Sequence, residues 1–355
     1  MLGLRKLSYK INFPITNKLL DTIIKEHFPN NEIKSLSELE FSFVNSVYQF
    51  QLSDGSHYIL KFNNPRWPYK QEREINAMEL VRKRTSIPIP KIIVEHTSND
   101  KTNLTYMIQE KAPGINLRET ILSGELTESE IIHLISKTGS YLGEMHSIKF
   151  DFFGDILPPK ETKSNSDSNF WGKRFTNWSD CFTAFCVDIL NWIDKESFPK
   201  YRKKIKRKIT DYARKYPDYS QASFIHSDIQ PSNIIVNNKE ISALIDFEWA
   251  FAGSPSFEYS ITRAGFYFSV FPSLSLSNIY SNYNNITKDT IDTAFLQGYR
   301  KTANHKLHDP PSDLTDFIWL LYMIGSWNWS IQTSTHEEIK QFKNDIHILY
   351  KKLLS

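Results

Sequence analysis

Only two cysteines, Cys181 and Cys186, occur in the 355 residues. They stand close together in an aromatic segment with no Cys or His companion at metal-ligand spacing. This excludes a disulfide framework and a zinc site, and fits structural thiols in a reducing compartment. Long hydrophobic runs are also missing. The longest, Phe317 to Ile324, falls far short of the ~20 apolar residues of a membrane span, and Met1 to Lys6 leads into no apolar core of signal-peptide length. The expectation is a cytoplasmic protein without a membrane partner. One-sided charge is lacking too: the net charge of +3 is spread along the chain. Its one basic run, Arg202 to Lys208, is interleaved with Ile205 and followed by Ile209, so it reads as a solvated helix face rather than a nucleic-acid site. No internal repeat is present. What the chain does have is 40% hydrophobic and 14% aromatic residues, enough for a real core and, at this length, for two lobes.

One stretch organises the rest. Phe224-Ile225-His226-Ser227-Asp228-Ile229-Gln230-Pro231-Ser232-Asn233-Ile234-Ile235-Val236 reads as strand, polar loop and short strand. A turn at Asn237-Asn238 follows, then Ala243-Leu244-Ile245-Asp246-Phe247-Glu248-Trp249, a second strand ending in an acidic loop. Two carboxylates and a carboxamide are thus delivered to loops at strand ends, where side chains can reach a ligand. His-x-Asp with Asn five residues after the Asp, and then a hydrophobic-Asp-Phe, repeats the order of a kinase catalytic loop and its metal-binding Asp. Phosphates carry dense negative charge, which Mg²⁺ held by hard oxygen ligands can offset. Asn233 and Asp246 are the expected ligands. Asp228, ionised at neutral pH from an ordinary pKa of about 3.9, is the expected catalytic group, directing an acceptor hydroxyl and taking its proton. Either half alone is common turn chemistry; both halves in register, each behind an apolar strand, are not.

At these residues the chain resembles the aminoglycoside phosphotransferase and choline kinase family, whose members carry His-Gly-Asp-x-x-x-x-Asn followed by Ile-Asp-[Phe/Trp]-Glu. Ser227 stands where that family most often has Gly. The resemblance implies an α+β, protein-kinase-like two-lobed fold. An antiparallel-sheet N-terminal lobe over residues 1–110 would bind nucleotide, and a larger, mainly helical lobe over 111–355 would hold the catalytic loop and the acceptor. It implies ATP or GTP as phosphoryl donor, Mg²⁺ as cofactor and a hydroxyl on a small molecule as acceptor: a sugar, an amino-alcohol or an aminoglycoside-like compound.

The N-terminal third reads as a helix from about Thr16 to Phe28, then strands at Phe41 to Phe43, Val47 to Leu52 and Tyr58 to Phe62, the last two joined by Asp54-Gly55. Lys61 lies in the last of these. A lysine in a strand is ordinarily an edge or surface residue; the resemblance makes it the ligand of the nucleotide phosphates. The helix expected from Gln71 to Lys83 offers Glu72 or Glu74 as its partner, and the family's spacing to a Pro-x-Pro, here Pro88-Ile89-Pro90, favours Glu74. The phosphate-covering loop is the poorest match. Val44-Asn45-Ser46 has no glycine and Ser42 stands where Gly is expected, so Asn45 and Ser46 side chains would have to serve. The strand Leu104 to Glu110 leads to Ala112-Pro113-Gly114, and the resemblance places the nucleobase against the backbone of Glu110 to Ala112.

Beyond it, helices are expected at Asn116 to Leu122 and Glu128 to His146, with His146 a packed residue rather than a catalyst. A polar loop follows, from Leu157 to Ser168. Ser254 and Glu258 depart from the family's Gly-Asp-Pro and its following Asp. The helices expected to wall the acceptor hold scattered acids (Asp180, Asp188, Glu258, Asp316) among Lys173, Arg174 and Arg263. Aromatics dominate there: Trp171, Trp178, Phe182, Phe266, Tyr267, Phe268, Trp319, Trp327 and Trp329. That balance favours a neutral or singly charged acceptor over a polycation. A protein kinase is disfavoured because Gly-x-Gly-x-x-Gly, an Arg before Asp228 and an Ala-Pro-Glu downstream are all absent. A non-catalytic nucleotide-binding module is the other alternative, supported only by the glycine-free loop.

Overall fold

The computed structural model describes residues 15–39, 45–63, 69–97, 104–158, 168–192, 198–215, 221–267, 279–304, 307 and 312–354. An antiparallel sheet precedes a larger, mainly helical part. The sheet holds β1 (Ile33–Glu38), β2 (Ser46–Leu52), β3 (His57–Phe62), β4 (Ile92–His96) and β5 (Tyr106–Glu110) in the order β1-β2-β3-β5-β4. Period-two alternation sorts its faces. Tyr48, Phe50, Leu60, Phe62, Tyr106 and Ile108 pack on Leu20, Ile23 and Ile24 of α1 (Asn17–His27), which starts where Thr16 accepts the Leu19 N–H at 3.2 Å. The opposite face carries Lys61, in register with Val47 and Met107, and turns it toward α2 (Tyr69–Arg84).

Two strands of this sheet differ from expectation. The first is Ile33–Glu38, paired with β2, whereas Phe41, Ser42, Phe43 and Val44 lie outside the described residues. Its alternation is illegible because Lys34, Ser35, Ser37 and Glu38 fill an exposed edge strand. Strand β4 was not anticipated, its short run ending in Glu95 and His96.

The chain leaves the sheet at Glu110, and β6 (Ile115–Asn116) already pairs with β11 (Ile234–Asn237) of the other lobe. Gly114 has φ +105°, and a Cβ there would stand 2.0 Å from the Val236 carbonyl oxygen, so only glycine lets the connector lie against β11. Helices α3 (Leu117–Leu122) and α4 (Glu128–His146) follow, then β7 (Lys149–Phe150), β8 (Phe153–Asp155), β9 (Arg174–Phe175), α5 (Trp178–Asn191) and α6 (Pro199–Lys215). The basic run forms α6, which buries Ile205, Ile209 and Tyr212, and both cysteines lie free and buried in the same core.

Strand β10 (Ala222–Ile225) joins β7 and β13 (Phe251–Gly253), while β11 and β12 (Glu240–Leu244) form a hairpin. Its turn is Asn238-Lys239, both at positive φ as a tight two-residue loop requires, one residue later than expected. Among the described residues the remaining helices are α7 (Pro255–Tyr267), α8 (Lys288–Thr302), α9 (Leu314–Gly325), α10 (Trp327–Thr333) and α11 (His336–Leu354). Among the described residues no helix is long and apolar enough to cross a membrane.

Candidate active site

Strand β10 is buried along its length, so the residues after Ile225 emerge at its end as a loop. Glu258, in the first turn of α7, receives that loop. Its carboxylate accepts the His226 N–H at 2.9 and 3.0 Å and the Ser227 N–H at 2.8 Å. Ser227 has φ +62°, the left-handed conformation that glycine adopts most readily. The serine is held there by Glu258 and by its own Oγ, which donates to the Trp249 carbonyl at 2.8 Å. The Asp228 N–H donates to His226 Nδ1 at 3.3 Å, and His226 Nε2 lies 3.2 Å from the Ile245 carbonyl. These partners assign the proton to Nε2, and burial lowers the ring's pKa despite the Glu258 and Asp246 charges.

Asp228 is gripped from both sides: Gln230 Nε2 donates to Oδ1 at 2.9 Å and Asn233 Nδ2 to Oδ2 at 2.8 Å. Burial, with the Asp246 charge added, pushes its carboxyl well above the ordinary carboxylate range. This departs from the expectation of an ordinary, fully ionised Asp. The short 3₁₀ turn Pro231–Asn233 brings Asn233 back beneath Asp228, and the Ile245 N–H donates to the Asn233 carbonyl at 3.1 Å, tying the two loops together.

Asp246 follows at φ +66°. Across the cleft Lys61 reaches it at 2.9 Å while holding both oxygens of Glu74 at 3.0 and 2.8 Å, so of the two candidates Glu72 and Glu74 the partner is Glu74. Burial acts to lower the Lys61 pKa, but Asp246, Glu74 and Glu248 outweigh it and raise it well above the ordinary value. Glu74, desolvated and only partly compensated by Lys61, is pushed up to about 7. Glu74, Asp246 and Glu248 each place a carboxylate oxygen within 4.8 Å of the others. Asn233 turns its amide nitrogen to Asp228, so its oxygen is the atom it could offer to a cation. This is a hard-oxygen donor set that fits Mg²⁺.

Several partners were not foreseen. Glu248 accepts from Lys70 at 2.6 Å and Asn45 Nδ2 at 2.7 Å, and lies 3.4 Å from Lys61. Burial alone would raise its pKa; Lys70 and Lys61 hold it down to about 2. Arg73 forks onto Asp155 at 3.1 and 2.7 Å and covers the Trp171 ring at 4.0 Å. Lys70 stands one helical turn before Glu74, a spacing that could have shown it on the same face. His146 is packed as expected, but it is also a link: its ring meets Tyr299 Oη at 2.8 Å and Glu258 at 3.2 Å. Burial pushes Glu258 up to about 7 despite its backbone donors, and holds the His146 ring neutral.

The other residues expected on the nucleotide side lie in the sheet and in the connector that follows it. Ser46 opens β2 opposite Phe62, and Glu110 ends β5 with its N–H on the Lys91 carbonyl at 2.9 Å. Ala112 lies half-buried in the connector. Of the aromatics expected near an acceptor, Trp178, Phe182, Phe266 and Trp319 belong to the core. Phe268 and the Trp329 side chain fall outside the description. Asp180, Asp188, Asp316 and Glu258 all have protein donors, so they build no free acidic wall. Half-buried Trp171 and Trp192 instead flank Trp249, with ring centroids at 5.5 and 5.3 Å.

A sequence model described as "Phosphotransferase enzyme family" matches residues 35–275. A search of curated proteins finds no match. Among solved structures, a putative fructosamine-3-kinase from Haemophilus somnus 129PT aligns with TM-score 0.62 at 12% identity, covering 95% of this chain and 97% of its own. Aminoglycoside phosphotransferase APH(4)-Ia gives 0.58 at 15%, covering 95% and 99%. Macrolide 2'-phosphotransferase MphH from Brachybacterium faecium gives 0.56 at 13%, covering 93% and 98%. A thermostable mutant of APH(4)-Ia has also been solved as a ternary complex with AMP-PNP and hygromycin B. At these identities the likeness is one of fold.

Proposed function

The chain belongs to the phosphotransferase enzyme family, and from that premise we propose that it moves the γ-phosphate of ATP or GTP to a hydroxyl of a small molecule. The observation that carries this reading is the meeting of Lys61, Glu74 and Asp246 within 3.0 Å contacts, beside an Asp228 fixed by Asn233. In this reading residues 1–110 form the nucleotide lobe and 111–355 the catalytic and acceptor lobe. Lys61 steadies the α- and β-phosphates, with Glu74 fixing its direction. The backbone of Glu110 and Ala112 takes the nucleobase, and Asn45 with Ser46 covers the phosphates. Asp246 and Asn233 hold Mg²⁺, which supplies positive charge to the phosphates. Asp228 aligns the acceptor hydroxyl and accepts its proton, and its raised pKa makes it a better base than an ordinary Asp.

The acceptor in this reading is neutral or singly charged. The acids expected to wall the acceptor already have protein donors, and the half-buried indoles of Trp171, Trp192 and Trp249 suit a sugar face or one ammonium. The test is a screen of sugars, amino-alcohols and aminoglycosides for Mg²⁺-dependent nucleotide consumption with phosphorylated product identified by mass. Turnover on a sugar or amino-alcohol is expected. High kcat/KM on kanamycin-type compounds alone would overturn the acceptor class, and no transfer to any hydroxyl would overturn the reading.

A further inference from the structure

Lys70 is buried to 3% exposure at the start of α2, and it lies between the two lobes. Its ammonium is 2.6 Å from Glu248 Oε1 and 3.5 Å above the Trp249 ring. Glu248 also takes the Asn45 amide at 2.7 Å and approaches Lys61 at 3.4 Å. One carboxylate therefore gathers two ammonium groups and an amide, brought from α2, from β3 and from the N-terminal end of β2. A structural ion pair needs one such cation, and Lys61 is already held by Glu74 and Asp246. Converging donors around a single anion are what a transferring phosphoryl group requires.

Place and charge agree. Lys70 shares the Glu248 carboxylate with Lys61, which itself touches Asp246 at 2.9 Å, and lies over Trp249, so its ammonium stands at the loop that carries Asp246. The loop before β2 has no glycine at Val44-Asn45-Ser46, and a glycine loop contributes backbone N–H groups by close approach. Here the donors are side chains, Asn45 and Lys70, already collected on Glu248.

We propose that Lys70 is a phosphoryl-binding residue: its ammonium passes from the Glu248 carboxylate to the terminal phosphate of bound nucleotide, supplying the contact that glycine-loop amides would otherwise make. This rests on the phosphotransferase reading. It differs from a purely structural role, in which Lys70 only fastens α2 to Glu248 and Trp249.

Titration calorimetry with AMP-PNP and with ADP, both with Mg²⁺, separates the two for the parent protein, Lys70→Met and Lys70→Gln. Thermal melting confirms the fold, and the Gln variant, which can still hydrogen-bond Glu248, carries the comparison if Met does not fold. The expected result is AMP-PNP affinity weakened about tenfold or more, as for loss of a charge-assisted contact, with ADP affinity within about twofold of the parent. Equal weakening for both nucleotides, or no change in either, overturns the proposal. If the parent binds neither, the same titrations are made with GMP-PNP and GDP; a parent that binds none of the four overturns the phosphotransferase reading, and this inference falls with it.

Discussion

Lys61 Nζ and Asp246 Oδ1 are 2.9 Å apart although 185 residues separate them in the chain. The contact joins the sheet lobe to the loop after β12, and Glu74 completes it from α2. Removing Lys61 would leave Glu74 and Glu248 buried without a shared cation. Lys61→Met is therefore expected to lower stability by about 3 kcal/mol or more as well as weaken nucleotide use. In Lys61→Met/Glu74→Gln the melting temperature should recover while nucleotide affinity does not. Recovery of both would make Lys61 a structural residue.

Arg73 and Asp155 form a second bridge between the lobes, forked and nearly inaccessible. Asp155 also accepts the Leu157 and Gly172 N–H groups. Asp155→Ala strands a buried guanidinium and should cost about 3–5 kcal/mol, read by denaturant unfolding. Below the melting transition kcat should stay within a few-fold of the parent. A kcat loss comparable to that of Asp228→Asn would place Asp155 in the chemistry instead.

Burial pushes the Glu258 carboxyl up to about 7 in the folded chain, against 4.5 when unperturbed. Between these values the native state binds more protons than the unfolded one, so this group's contribution to stability falls as pH rises through the window. Glutamine has no such proton. The stability deficit of Glu258→Gln against the parent should therefore shrink between about pH 5 and pH 8, by about 3 kcal/mol at most. A deficit constant with pH, or one that widens, contradicts the raised carboxyl.

The raised Asp228 carboxyl predicts a pH–rate profile for kcat/KM whose ascending limb lies well above the ordinary Asp value of 3.8. The base must be deprotonated to act, so the rate climbs as pH passes its pKa. That limb should be absent from the residual activity of Asp228→Asn. A midpoint at the ordinary value would mean that Asp228 behaves as an exposed carboxylate.

Legibility followed sequence separation. His226 to Asn233 and Asp246 to Trp249 could be read because each loop's functional residues are contiguous and sit behind apolar strands. Helix α4 was legible over Glu128 to His146, where apolar residues recur at helical spacing. Strand β1 could not, because its edge position leaves only Ile33 and Leu36 to mark it. The Lys61–Glu74 pair was expected, but the cleft's other ion pairs were hidden for a different reason. Lys70 and Glu248 are 178 residues apart, and Arg73 and Asp155 are 82 apart. Such partners are chosen by how the lobes pack, and no local pattern encodes that. His146 was read correctly as packed, but its contact with Glu258 crosses 112 residues and could not be inferred.

The division of labour between the two loops is the central claim, and nucleotide titration with Mg²⁺ alongside single-turnover transfer tests it most directly. Asp246→Ala is expected to abolish Mg²⁺-dependent nucleotide binding and, with it, turnover. Asp228→Asn is expected to bind nucleotide as the parent does while kcat falls by about 10²-fold or more. Equal loss of nucleotide affinity in both variants, or a kcat for Asp228→Asn near that of the parent, would contradict the account.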